Sequence, residues 1–392
     1  MSTATAAFDL PVEYRTLENA ARAVAAEFAP EAIEIRRHVI EHGELHPKLW
    51  RRFCEQGWAG AMISADRGGS AIGLLGAALI LEAFAARGIV LWMPVLSNAI
   101  AHAIDRVGPD SARERWLPRI AAGTAQLGIA VTEPASGHNL FGVETEIQYT
   151  GTHFVVTGVK RVTSGLDLVD RVLVFGRTVA EDGTSGYTTV LVDPGAAGVT
   201  VTEIPMRYRE GVRQFQLELD HVVLPGDALV GSVGGGLLSL WPFTDVERVL
   251  TAAICSGSAA HCLDNAVARA KHRVIAGREP IGVHQAVAHP LAHLHARHAA
   301  VRLLLRRAAL GFDRADSAQT AAADANAVKL LASELAFDAA DHAMQVFGAE
   351  AWDEREGWLD LYLDARLSRS GPVSNEFALN YLAEHVLGLP AR

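Results

Sequence analysis

The sequence predicts an α+β protein whose chain runs helical, then β, then helical again. Three observations carry this. Residues 12–125 place apolar side chains at helical spacing. From Leu127 to Pro225 the pattern breaks into short alternating runs split by turn residues. After Gly236 the helical spacing returns and persists to the end. The boundaries expected are 1–125 for an N-terminal α-helical domain, 126–236 for a middle β-domain and 237–392 for a C-terminal helical bundle.

In the first part, Glu18 to Phe28 and Ala32 to Ile40 read as helices, with Pro30 breaking the run between them. Trp50 to Gly57, the alanine- and leucine-rich Gly73 to Arg87, and Arg113 to Gly123 continue the helical series. Strand candidates in the middle part are 147–149, 153–156, 171–175, 188–192 and 214–217. Their even spacing predicts a small β-barrel or two packed sheets. The last part offers four helices, Asp245 to Arg273, Val283 to Leu310, Ala322 to Phe347 and Asn375 to Leu387, which read as an antiparallel four-helix bundle. No fixed-period repeat and no G-x-G-x-x-G fingerprint is present.

The 392 residues suffice for two or three structural units with sizeable cores. A formal charge of -10 argues against nucleic acid as the main partner. Three cysteines (Cys54, Cys255, Cys262) lack metal-type spacing and cannot all pair, which fits a reducing cytoplasm. No secretory signal is read in Met1 to Leu10, and no run of apolar residues is long enough for a membrane span.

The stretch Thr244-Asp245-Val246-Glu247-Arg248 opens the first C-terminal helix in this reading. Thr244 is expected to cap it, with Asp245 and Glu247 in the first turn, where the helix dipole favours anions. Spacing alone assigns these carboxylates nothing beyond capping.

Four further stretches change that. Ile129 to Asn139 contains Thr132-Glu133-Pro134-Ala135-Ser136-Gly137-His138-Asn139, and Gly158-Val159-Lys160-Arg161-Val162-Thr163-Ser164 lies downstream. Arg273 to Gln285 and Gln345-Val346-Phe347-Gly348 follow in order. Together they resemble the T-E-P-x-A-G-S-D, G-x-K, R-x-x-F-G-x-P-I-x-x-x-Q and Q-x-x-G-G segments of acyl-CoA dehydrogenases. The resemblance spans most of the chain and implies the fold of that family: helical domain, middle β-barrel or sandwich, and C-terminal four-helix bundle.

The same resemblance implies FAD, an acyl-CoA substrate and an electron-transfer flavoprotein as electron acceptor. It places Ile129, Thr132 and Ser164 at the flavin, since a hydroxyl can donate or accept as the ring changes redox state. Arg273, Gln285, Gln345 and Gly348 would reach the FAD of a neighbouring subunit, an arginine fork being suited to a pyrophosphate. Such a shared site implies an oligomer, a homotetramer or homodimer, with a hetero-oligomer left open. Ser374 and Glu376 are placed with the cofactor, and His138 and Arg248 with the substrate.

Several positions depart from the family pattern. Val162 stands where a tryptophan often lies against the flavin, Ala276 replaces a phenylalanine, Ala349 a glycine and His138 a serine. Counting from Gln345 puts the family's E-G-T glutamate at Pro372, which is neither a base nor an N–H donor. A second branch of the family, the isovaleryl-type and long-chain enzymes, carries its glutamate in a D-x-E-R segment, which Asp245-Val246-Glu247-Arg248 resembles. Glu247 is therefore the expected catalytic base. The Val373 N–H is one expected substitute for the thioester donor lost at Pro372. Two other functions stay open at this stage: a flavin monooxygenase on the same fold, and a non-catalytic subunit completing a neighbour's FAD site.

Overall fold

The structure is a computed structural model that describes residues 10–180, 183–206, 211–277, 279–315 and 317–390. Most of the N-terminal stretch read for targeting, and Arg278 within the Arg273–Gln285 segment, lie outside the described residues. The chain starts with helices α1 (Val12–Phe28), α2 (Ala32–His42), α3 (Pro47–Glu55), α4 (Gly73–Ala85), α5 (Trp92–Val107) and α6 (Asp110–Ala121). Strands β1 (Leu127–Ala130), β2 (Glu146–Tyr149), β3 (His153–Ser164), β4 (Arg171–Ala180), β5 (Tyr187–Val192), β6 (Val199–Ile204) and β7 (Gln214–Pro225) follow. The rest is α7 (Gly236–His272), α8 (Gln285–Asp313), α9 (Ala318–Phe347), α10 (Trp358–Leu367) and α11 (Asn375–Tyr381), with a π-helical turn at Leu382–Val386. The order helical, β, helical is the one expected.

Two compact units are formed. One comprises residues 1–36, 74–91 and 248–392, the other residues 37–73 and 92–247. The N-terminal helices are thus divided, because α4 packs with the C-terminal helices. The Asp313 carboxylate at the end of α8 accepts the Leu74 and Leu75 N–H groups at 2.7 and 2.9 Å, satisfying two orphan donors of the first turn of α4. Glu82 of α4 accepts from Ser256 of α7 at 2.7 Å and from Arg302 of α8 at 3.0 Å. Gly257 allows α7 to approach α4 closely, since a Cβ there would lie 2.3 Å from the Glu82 carbonyl oxygen.

In the other unit all strands join one seven-stranded sheet, ordered β1-β4-β2-β3-β7-β6, with β5 paired to β4. β4 carries β1 alongside Arg171–Val174 and β2 alongside Arg177–Ala180, both parallel. Alternate residues of the strands meet in one core that includes Ile147, Phe154, Val174, Val190, Leu217 and Val222. One face of the sheet therefore carries a shared interior, in keeping with a period-2 pattern of buried residues.

The largest departure from expectation concerns α7. It begins at Gly236, directly after the glycine-rich turn, and runs 37 residues. Thr244 is inside this helix and caps nothing; its hydroxyl donates to the Trp241 carbonyl at 3.0 Å. Asp245 and Glu247 consequently lie beyond the first turn, where the dipole no longer favours them. The early start follows from Leu237 and Leu240, which pack against Val143 and Phe175. That contact outweighs the backbone rung lost at Pro242 within the helix.

Four elements were not anticipated: α5, α10, β1 and β6. α5 is buried over most of its length and carries Ser97 and Asn98 among its buried apolar residues. The expected fourth bundle helix is shorter than foreseen, α11 continuing only as the π-helical turn.

Candidate active site

The segments singled out in β1 and β3 are bound together by a buried ion pair. The Lys160 ammonium lies 2.6 Å from the Glu133 carboxylate and 3.1 Å from the Val131 carbonyl. Their side chains are 0% and 3% exposed. The Glu133 carboxylate also accepts the N–H groups of Glu144 and Thr145, at 2.6 and 3.0 Å. Burial pushes the Glu133 carboxyl upward, but the Glu144 N–H, Lys160 and Thr145 together hold it below its ordinary value. Burial pulls Lys160 down, and Glu133 opposes that pull. Neither residue was given a role from sequence, yet a signal was there: Phe154, Val156 and Lys160 share the inward face of β3 by alternation.

Next to this pair β3 carries a bulge. Between Lys160 and Thr163 the strand advances three residues while β7 advances two, from Leu217 to Phe215. Arg161 and Val162 are both exposed, and Val162 has φ 57°, a left-handed conformation unusual for a β-branched residue. Strain of this kind costs roughly 1–3 kcal/mol and gathers at functional sites. The Arg161 N–H donates to the Thr132 carbonyl at 2.8 Å, so the loop after β1 is fixed to the bulge. Thr132 and Ser164 are both partly exposed, and the Ser164 hydroxyl meets the Gln214 amide oxygen at 3.0 Å. Ile129 and Val131 pack on the cluster of Val143, Phe175 and Leu240. His138 is exposed on the loop that follows Thr132.

Glu247 is 7% exposed. It stands seven residues after Leu240, two helical turns, and therefore on the same face of α7. That face is the one Leu240 lays against Phe175 and the β1 side chains. Arg248, the next residue, is partly buried.

In the other unit Arg273, Gln285, Gln345 and Gly348 lie at the end where α7 and α9 terminate, whereas Ser374 and Glu376 begin α11 beside Asn375, which meets Lys329 and Ser333 in the middle of α9. After α7, Val274 bridges Pro280 and the Ile281 N–H donates to the Arg273 carbonyl at 2.8 Å. Arg269 pairs with Glu350 at 2.7 Å and lies over the Phe347 ring, fixing the end of α7 to the end of α9. α8 runs antiparallel to α9, with Arg297 paired to Asp338 at 2.6 Å and Arg307 to Asp324 at 3.0 Å, so Gln285 at the start of α8 lies toward the end of α9 that carries Gln345. Gly348 ends α9 with φ 65° and ψ -133°, a conformation open to glycine. Arg273, Gln285, Gln345 and Gly348 are all exposed. The Ser374 hydroxyl caps α11 by accepting the Phe377 N–H at 3.3 Å, and Glu376 is exposed in that first turn. Its own backbone N–H and the Ser374 hydroxyl hold the Glu376 carboxyl below its ordinary value.

Among the described residues no group of three or more His, Cys, Asp or Glu is placed to hold a metal, and no helix is long and apolar enough to cross a membrane.

Comparison with known proteins gives this arrangement its context. The family models for the acyl-CoA dehydrogenase N-terminal, middle and C-terminal domains match residues 13–124, 128–222 and 234–387. Acyl-CoA dehydrogenase FadE12 of Mycobacterium tuberculosis (strain ATCC 25618 / H37Rv) is 34% identical over 380 residues, covering 96% of this chain and 97% of that protein. The 3-(aryl)acrylate reductase of Clostridium sporogenes (strain ATCC 15579) is 27% identical over 372 residues, covering 93% and 97%. The solved glutaryl-coenzyme A dehydrogenase in complex with glutaryl-CoA shares the fold with a TM-score of 0.88 at 22% identity, covering 97% of each chain. The chain belongs to the acyl-CoA dehydrogenase family.

Proposed function

We propose that this protein carries out the FAD-dependent α,β-dehydrogenation of an acyl-CoA thioester and passes the electrons to an electron-transfer flavoprotein. The observation that carries the reading is the ledge formed by Thr132, the Val162 bulge and Ser164, held in place by Lys160 and Glu133. A flavin needs hydroxyl partners along one edge and an apolar surface against its ring. Thr132 and Ser164 offer the first, Val162 and Ile129 the second, so the residues present fit the group.

When bound, FAD supplies the acceptor for the hydride leaving the β-carbon. The chain's own part is to orient the thioester and to take the α-proton, and Glu247 is the residue assigned to that proton. A carboxylate is a weak base in water and becomes competent when water is excluded from it. Arg273, Gln285, Gln345 and Gly348, exposed as they are, would hold the cofactor of another copy. Ser374 and Glu376 are assigned to the cofactor, Glu376 toward the adenosine end. That arrangement makes the protein an oligomer. His138 and Arg248 are assigned to the substrate.

The test is Glu247→Gln, read by anaerobic titration of the flavin spectrum with a panel of acyl-CoA thioesters. FAD content and melting should be unchanged, while flavin reduction falls by about 10²–10⁴-fold, the usual loss on removing a general base. Near-wild-type reduction by this variant would refute the assignment and direct the search to Glu376.

A further inference from the structure

The end of α7 gathers positive charge around a single carboxylate. Arg269 and Lys271 lie in its last turn, and Arg273 directly follows it. The Arg273 N–H donates to the Arg269 carbonyl at 2.9 Å, so the two arginines stand one helical turn apart. Glu350 is the only acidic residue between Gln345 and Trp352, and its carboxylate takes the Arg269 guanidinium at 2.7 Å. Arg269 also lies 5.5 Å from the centroid of the Phe347 ring, which keeps that guanidinium in place. The Arg269 hydrogen bond, together with the charges of Arg269 and Arg273, holds the Glu350 carboxyl below its ordinary value, so it stays ionised.

Glu350 thus does two things at once. It clamps Arg269, and through it the end of α7 to the end of α9. It also places a negative charge beside Arg273, which is exposed and available to an anion. A guanidinium gives its N–H fork to carboxylate and phosphate oxygens alike, so a neighbouring carboxylate offsets what the arginine can offer a phosphate. The Glu350 side chain is 57% exposed, at the surface that an incoming anion meets.

Resting on the assignment of Arg273 to the cofactor of another copy, we infer that Glu350 sets how tightly FAD is held, by offsetting the Arg273 charge that meets the cofactor's diphosphate. The carboxylate that fastens α7 to α9 thereby lowers the affinity that the arginine would give by itself. No bond in the reaction is made or broken at Glu350.

The experiment follows FAD release from diluted holoenzyme by flavin fluorescence, over a series of sodium chloride concentrations. Wild type is compared with Glu350→Gln, Arg273→Ala and the double variant. Glutamine keeps a side-chain oxygen for Arg269 and removes only the charge, and the position is exposed, so melting should be retained. At low salt Glu350→Gln should hold FAD about 2–5-fold more tightly, the range of one exposed charge interaction. The gain should shrink as salt rises, because screening weakens interactions between exposed charges. In the Arg273→Ala background it should vanish, since the cation that Glu350 acts through is absent. Unchanged or weaker FAD retention by Glu350→Gln overturns the inference and leaves Glu350 as a clamp alone. A gain of equal size in the Arg273→Ala background also overturns it, because the carboxylate then acts elsewhere. Arg273→Ala protein that holds FAD as wild type does would instead refute the assignment of Arg273 to the cofactor, and this inference with it.

Discussion

The two groups of site residues differ in how the chain holds them. Thr132 and Ser164 lie on a ledge whose backbone is pinned by the Lys160–Glu133 pair, and Glu247 is buried within a helix. Arg273, Gln285, Gln345 and Gly348 instead stand exposed at or near helix ends, beside the Ile281 N–H bond to the Arg273 carbonyl and the Arg269–Glu350 pair. The first group is organised by its own unit before any ligand arrives. The second presents side chains outward, the disposition expected of residues that complete a site in another copy.

The most damaging way to break the first group is Lys160→Met. It leaves Glu133 buried without its cation, a change that typically costs about 3–5 kcal/mol. A urea titration should show the loss, and the flavin should bind weakly because the loop after β1 is released. An unchanged midpoint would mean that the Glu144 and Thr145 N–H groups are enough by themselves.

For the second group, Arg273→Ala is the sharper probe. Stability of the single chain should barely change, while FAD affinity drops about 10–100-fold, the range of one charge-assisted hydrogen bond. Size-exclusion chromatography should show a loosened assembly. A monomer retaining its full FAD would erase the distinction between the two groups.

Acid offers a milder perturbation of the first. The folded-state pKa of Glu133 is depressed, so its contribution is fully present above its ordinary 4.5 and is lost as pH falls through the folded value. Stability of the wild type should therefore decline over that range, and Glu133→Gln should flatten this part of the curve. A slope unchanged by the substitution would place the acid sensitivity elsewhere.

The smallest effect belongs to Thr244→Ala. A lost N-cap typically costs about 1 kcal/mol, whereas a partly buried helix-interior threonine should change stability by less than about 0.5 kcal/mol. Thermal melts of the two proteins distinguish these outcomes.

Much of this architecture was legible because it is written in periodicity. The alternating runs of the middle part and the long helical stretches after Gly236 correspond to real elements, and the strand candidates at 147–149, 171–175 and 214–217 fall within β2, β4 and β7. What escaped were elements whose surroundings hide their period. α5 buries Ser97 and Asn98 among its apolar residues, and the β1 segment was read as motif rather than strand. The start of α7 was misplaced because Thr244 looks like a cap locally, while the contact that extends the helix, Leu240 on Phe175, joins residues far apart in sequence. The candidate site shows the same division. Thr132, Ser164 and Glu247 could be named from motifs, but the pairing of Lys160 with Glu133 and that of Arg269 with Glu350 depend on tertiary neighbours.

The divided edge of β4 has a consequence for how this protein can change. β1 and β2 occupy successive stretches of one edge, so the loop between them leaves and rejoins the sheet along the same line. Gly176 makes the return possible: a Cβ there would lie 2.8 Å from the Thr145 carbonyl oxygen, whose partner is the Arg177 N–H at 2.7 Å. The intervening residues are fixed at both ends, 131–133 by Lys160 and Arg161 and 143–145 by Phe175, Glu133 and Arg177. Residues 134–142 between them therefore form a cassette that can be lengthened, shortened or exchanged without shifting the register of either strand. His138 rides on that cassette, so the surface offered beside Thr132 can diversify while the sheet that bears it stays fixed.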